Sequence, residues 1–238
     1  MNIGEILGDA LAYPFNNIKA LVIFAVIGIV AAIIGGTTVL TFLTATSTKG
    51  ISSFALSGMG LLEIIIFILL IFLIEGYALD IIRYGIERRK DGPGIDFGRQ
   101  IVNAVKLIIV EIVYYLIPSV LIFVLGLFLR DWILVIISVI LIIVFALANF
   151  MARCRLAKTE NLGDALAIGE AIQDISRVGI GKLIATVILV LIIAMIIIFV
   201  VGIFNSLNDL VGDILLGIAS VYLVFFYHRV IGLLYSDV

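Results

Sequence analysis

Three ionisable residues interrupt long apolar stretches of this chain: Glu75, Glu111 and Arg229. A charge at the centre of a bilayer costs roughly 2.5–3.5 kcal/mol, so such groups usually face protein or a water-filled cavity. Glu75 stands five residues before Asp80, Glu111 five after Lys106, and Arg229 six before Tyr235. At a rise of 1.5 Å per residue, each lies about 8–9 Å inside the end of its apolar run. The shared depth predicts that the three converge, with Arg229 offsetting one or both carboxylates, because an unpaired buried charge is far costlier than a paired one. Tyr114 and Tyr115 fall three and four residues after Glu111, on its face of a helix. Asn149 and His228 have a similar depth. Together they would form a polar vestibule, and two carboxylates in one site resist ionising together, which suits proton exchange. In the competing reading Arg229 reaches lipid phosphate, each glutamate reaches the interface or a neighbouring lysine, and Glu111 pairs back toward Lys106. Glu63 lies nearer the other end of its run and is expected to snorkel to water.

Other chemistry is poorly supported. No phosphate-cradling glycine motif and no His-Glu-x-x-His is present. With one histidine and one cysteine, a zinc site of ordinary ligands is nearly excluded. Cys154 stands between Arg153 and Arg155, which favour a thiolate, although a lone cysteine at a helix end is more often inert. A serine–histidine pair would have to use His228, whose neighbour Arg229 opposes the imidazolium a general base must form. Asp80 has no evident second aspartate for intramembrane aspartyl chemistry. The expectation is a protein that is not an enzyme, with no cofactor and no metal. No basic run suggests nucleic acid.

The elements that carry these residues are set by composition. Of 238 residues, 64% are hydrophobic and 13% charged, about half the charge usual in a soluble domain. Runs 20–48, 112–129, 132–152 and 183–208 carry no charge at all. Run 58–79 contains only Glu63 and Glu75, and run 214–235 is broken only by His228 and Arg229. Spanning a bilayer takes roughly 20 apolar residues as a helix. The fold class predicted is all-α: one polytopic integral membrane domain over 1–238, with spans near 20–43, 58–82, 104–128, 132–151, 183–204 and 213–235. Residues 1–18 hold Glu5 and Asp9 and no early cation, so the first run reads as a retained helix and not a signal peptide. Thirteen of the 15 Lys and Arg residues fall on one side of that topology, leaving only Lys49 and Arg130 on the other. The positive-inside rule then places both termini in the cytoplasm of a multi-pass protein of the plasma membrane.

Residues 3–15 carry apolar residues at helical spacing (Ile3, Ile6, Leu7, Ala10, Leu11, Phe15), with Glu5, Asp9 and Asn16 opposite. Pro14 marks a bend into the membrane. Segment 160–178 repeats the theme, and Leu-Gly-Asp-Ala-Leu-Ala occurs at both 7–12 and 162–167. Asp9, Asn16 and Lys19 share their spacing with Asp96, Asn103 and Lys106, which marks 95–106 as a third such segment. Three amphipathic interfacial helices, each leading into a two-helix hairpin, suggest parallel repeats over 1–84, 85–156 and 157–238, as in some transporters. Chance and shared composition are the alternative. Gly28, Ala32 and Gly36 form a ridge of small residues in the first span. It suits an internal packing seam, or else a homodimer.

Several short motifs carry a family resemblance: Leu11 to Phe15, Gly76-Tyr77, Ile82-Arg83, Gly92-Pro93, Asp96-Phe97, Tyr114 to Pro118, Gly181-Lys182 and Arg229 to Tyr235. Together they resemble the prokaryotic membrane family known as domain of unknown function 4013. The resemblance implies a multi-pass protein, frequent in archaea, with no catalytic residues to carry over. The basic step Arg88-Arg89-Lys90 departs from the acidic or proline-rich linker the resemblance implies there. Two functions remain open. One is transport of a small solute, ion or proton through a cytoplasm-facing polar vestibule. The other is a scaffold or accessory subunit that binds a partner protein or lipid. Its partners are the lipid bilayer and a membrane protein or a second copy of itself.

Overall fold

In a computed structural model, the structure describes residues 1–48 and 59–238, and the side chains of residues 1–36 and 61–238. Lys49 and most of the Thr/Ser-rich connection around it lie outside the described residues. The described elements are all helical: α1 (Ile3–Asn16), α2 (Ile18–Thr48), α3 (Met59–Ile86), α4 (Phe97–Gly126), α5 (Asp131–Thr159), α6 (Leu162–Ala165), α7 (Ile168–Val178), α8 (Ile180–Asn205) and α9 (Asp209–Tyr235). Six of them, α2 to α5 with α8 and α9, are long and apolar enough to cross a membrane. Their outward faces carry large apolar side chains such as Leu191, Met195, Phe199 and Phe123. A surface of that kind requires lipid as its solvent.

The last helix is the hub. α9 packs against α2, α3 and α8, and α1 lies on it. Two close crossings make this possible. A Cβ on Gly28 of α2 would meet the Gly217 carbonyl oxygen of α9 at 2.6 Å, and one on Gly232 of α9 would stand 2.9 Å from the Cα of Gly85 on α3. The Gly28 ridge therefore faces α9 of the same chain. Farther along it, Gly36 is exposed, and a Cβ there would only approach Asp213. α3 pairs with α4, and α4 with α5.

α1 begins with a capping box, Asn2 accepting from the Glu5 amide while Glu5 accepts from the Asn2 amide. Its apolar face (Ile6, Ala10, Tyr13) is buried, and Tyr222 of α9 donates to the Leu11 carbonyl at 3.1 Å. The chain turns just after Pro14, as expected, and α2 starts at Ile18. The middle amphipathic segment is different. Residues 97–106 are the first turns of α4 itself, capped by Asp96, and not a separate interfacial helix. No proline or glycine stands between Gly98 and Pro118 to break the run, so helix propagation carries it straight into the span.

The duplicated hexapeptide also takes two conformations. At 7–12 it lies within continuous α1. At 162–167 helix α6 stops at Ala165 and α7 restarts at Ile168. The reason lies in two carbonyls. Asp164 O accepts from Arg155 Nε at 2.9 Å, and Ala165 O accepts from the Tyr114 hydroxyl at 3.0 Å. Side chains of α5 and α4 thus satisfy acceptors that a continuing helix would use.

Both ends of the chain meet at the cation-rich end of the bundle. Asp237 receives Lys182 Nζ and the amino group of Met1, each at 3.1 Å, and also pairs with Arg88. The Lys182 hydrogen bond, then that of the Met1 amine, holds the Asp237 carboxyl below its ordinary 3.8. The unfolded chain therefore takes up this proton first, so the tie stabilises above pH 3.8 and is lost as the pH falls below it. The Tm difference between wild type and Asp237→Asn should be present at pH 7 and close as the pH falls progressively below 3.8. A difference that persists unchanged at low pH would contradict this.

Candidate functional site

Glu75 and Glu111 do converge on a guanidinium, but it belongs to Arg153. Arg153 Nη2 donates to Glu111, and Nη1 lies 3.4 Å from His228 Nε2. His228 Nδ1 is 2.7 Å from the Val224 carbonyl oxygen. A carbonyl can only accept, so Nδ1 carries the proton and Nε2 offers its lone pair to Arg153. His228 is thereby a neutral acceptor for Nη1 of Arg153, while Nη2 serves Glu111. Glu75 approaches His228 Nε2 only to 3.9 Å, too far for a hydrogen bond. Among the described residues Glu75 makes none. The centre thus has two carboxylates, one guanidinium and one neutral imidazole, contributed by α3, α4, α5 and α9.

Two clefts reach it. One of about 280 Å³ between α3, α4 and α5 is lined by Glu75, Glu111 and Arg153. The other, about 400 Å³, opens between α8 and α9 and is lined by Glu75, Arg153 and His228. Glu75 and Arg153 line both. Asn149 lies one turn before Arg153 on α5, is buried, and its Oδ1 has no partner among the described residues.

Arg229 does not join this centre, which corrects the expectation from depth. Its Nε donates to Asp9 of α1 at 2.7 Å, and Nη1 donates to the carbonyls of Tyr84 and Arg89 at 3.1 and 2.7 Å. The guanidinium sits 4.5 Å above the ring of Tyr13. Burial pushes the Tyr13 phenol up, so the ring stays neutral and presents its π face. Arg229 points across the bundle end toward α1 and the 84–89 turn, away from Glu111. It is a structural tie. The basic step beside it is tied as well: Arg89 stacks on Tyr84 and pairs with Asp91, while Arg88 reaches Asp237.

Tyr114 shares the Glu111 face of α4 but spends its hydroxyl on Ala165, and so belongs to the α6 break. Cys154 is fully buried, its Sγ 3.8 Å from the Ile231 carbonyl, between arginines that point elsewhere. Asp80 has partners, Arg99 at 3.0 Å and Asn103 Nδ2 at 3.2 Å, in a cleft of about 300 Å³ at the cation-rich end that also holds Arg83 and Lys106.

Two further polar residues were not picked out in the sequence. Arg153 stands beyond the charge-free run 132–152 and reads as a loop cation, whereas α5 continues to Thr159. Its spacing of four from Asn149 was the available signal. Asp174 of α7 is fully buried and accepts from Arg155 at 3.1 Å, Arg177 at 2.9 Å and the Tyr235 hydroxyl at 2.7 Å. It fastens α7 to α5 and the end of α9.

Chemically, the centre can hold one positive species beside Glu75, whether a proton or a cation, while Arg153 stays committed to Glu111. Among the described residues no group of histidine, cysteine and carboxylate side chains is arranged to hold a metal ion. Residues 59–206, well over half of the chain, match the family model described as protein of unknown function (DUF4013). That match includes Glu75, Glu111 and Arg153 and stops before α9. No curated protein and no solved structure matches.

Proposed function

We propose that this chain, which belongs to the DUF4013 family of proteins of unknown function, is a small transporter in which Glu75 takes a proton or a cation in turn. One observation carries the reading. Glu75 lines two separate clefts and has no hydrogen bond among the described residues, whereas the neighbouring Glu111 is held by Arg153. A carboxylate without a fixed partner inside a span is unfavourable as it stands. It is suited to exchange, since a proton and a cation compete for the same oxygens. The 13-to-2 distribution of Lys and Arg supports placing the end that carries Arg83, Arg99 and Lys106 in the cytoplasm, and the protein in the plasma membrane.

The scaffold alternative has less behind it. Most of the apolar faces of α1 and α7 is covered by α9 and α5, with Ile6, Ala10, Ala171 and Ile175 buried and Phe15 and Ile172 the large apolar residues left exposed, which leaves little apolar surface on those helices to dock a partner.

Proteoliposomes loaded with a pH-indicating dye test the proposal under an imposed K⁺ or Na⁺ gradient. Wild type should exchange protons for the cation well above the rate of protein-free vesicles, and Glu75→Gln should reduce that rate at least about 10-fold, the scale of one lost charged contact. Wild-type vesicles no leakier than empty ones would defeat the reading.

A further inference from the structure

We infer that the trench between α5 and α8 admits lipophilic organic cations from the bilayer and brings their positive group to Glu75. This names a substrate class for the site proposed above and rests on that reading.

The trench arises from the way the hairpins join. The hairpins α2–α3, α4–α5 and α8–α9 are each closely packed. Two of the three junctions between hairpins are closed, α3 against α4 and α9 against α2. The third would pair α5 with α8, and among the described residues those two helices barely meet. The gap is filled from behind by α9. A cleft of about 190 Å³ lined by Met151, Leu183 and Ile231 occupies it. This cleft shares Val190, Leu191 and Tyr227 with the 400 Å³ cleft that ends at Glu75. The two are therefore one continuous depression along α9, apolar along its length and charged at its end. A span of this kind is open sideways, to lipid.

The lining selects the occupant. Glu75 and Glu111 outnumber Arg153, His228 is neutral, and Arg153 already donates to Glu111. An anionic headgroup would meet an uncompensated carboxylate, and an uncharged acyl chain would leave Glu75 unpaired. A cation with an apolar body satisfies both parts. Its apolar body packs along the apolar walls of α8 and α9, and its charge supplies a partner for Glu75. Aromatic rings stand beside the path: Tyr227 meets Phe150 at 5.7 Å between centroids and His228 at 4.8 Å. The face of a tyrosine or phenylalanine ring attracts an organic cation. The volume, a few hundred Å³, is that of a small-molecule site.

The test is equilibrium binding of radiolabelled tetraphenylphosphonium to the full-length protein purified in detergent. Wild type should bind saturably. Glu75→Gln should weaken binding at least 10-fold, and so should Leu191→Trp, which plugs the trench from a lipid-facing position without touching the charged centre. Leu191 is exposed, so that variant keeps the experiment decisive if the Glu75 variant folds poorly. Absence of saturable binding overturns the assignment, as does binding that Leu191→Trp leaves unchanged. The proteoliposome assay separates the two claims. Cation–proton exchange without tetraphenylphosphonium binding rejects this substrate class and keeps the transport reading. Binding that both variants weaken, in a protein that exchanges no cation, upholds the trench and rejects transport.

Discussion

Arg229→Leu is expected to destabilise the protein by about 3 kcal/mol, the lower end of the penalty for removing one partner of a buried charge pair. The lower end applies because Asp9 keeps 31% of its side-chain surface exposed and can turn to water. The leucine also abandons the carbonyls of Tyr84 and Arg89, each of which loses a charged donor. Arg229→Lys should recover only part of the loss, since a single ammonium cannot serve a carboxylate and two carbonyls in the geometry of a planar fork. The measurement is denaturant or thermal unfolding in detergent, combined with two double-mutant cycles. Arg229→Leu and Glu111→Gln should be additive within about 0.5 kcal/mol, because their groups belong to separate clusters. Arg153→Leu and Glu111→Gln should not be additive. A coupling between Arg229 and Glu111 as strong as that between Arg153 and Glu111 would restore the convergence expected from depth alone.

That expectation shows where sequence reasoning reaches its limit. The six spans were legible because lipid imposes a length on each helix and removes charge from it. The presence of Glu75, Glu111 and Arg229 within apolar runs was legible for the same reason. Depth along a helix axis, however, says nothing about the direction a side chain takes around it. Arg229 and Asp9 are 220 residues apart, and no local pattern links them. Arg153 was hidden by a different effect. A charge-free window ends at the first cation, but α5 runs on through Arg153 to Thr159, and its guanidinium turns back into the bundle. The amphipathic segments were legible as patterns and not as elements. Glu5 and Asn2 give α1 a clear start, whereas α4 runs on from Asp96 unbroken and α6 is interrupted by bonds from Tyr114 and Arg155 that only the tertiary structure supplies.

Gly76→Ala should be the most damaging glycine-to-alanine substitution among the described residues, costing about 3 kcal/mol or more. Gly76 lies where α3 crosses α4. A Cβ there would stand 1.8 Å from the carbonyl oxygen of Gln100 and 2.8 Å from its Cα. Both are backbone, and no rotamer change relieves the contact. Overpacking usually costs about 1–3 kcal/mol when side chains can adjust, and more when the backbone must move. Relief therefore requires α4 to shift bodily. Such a shift would also break the bond from Asn103 Nδ2 to the Gly76 carbonyl at 3.3 Å. It would move Glu111 of α4 relative to Glu75, the residue next to Gly76. The charged centre and the helix crossing are thus coupled through one glycine, and Gly76→Ala should impair proton–cation exchange together with stability. Gly8→Ala is the matching control. A Cβ at Gly8, mid-way along α1, meets nothing within 4 Å, and replacing glycine in an open helix position gains about 0.5–1 kcal/mol. Thermal unfolding of the two variants side by side gives the answer. If Gly76→Ala unfolds within a degree or two of wild type, α3 and α4 are not in close backbone contact at Gly76, and the cleft bounded by Glu75 and Glu111 has a different shape.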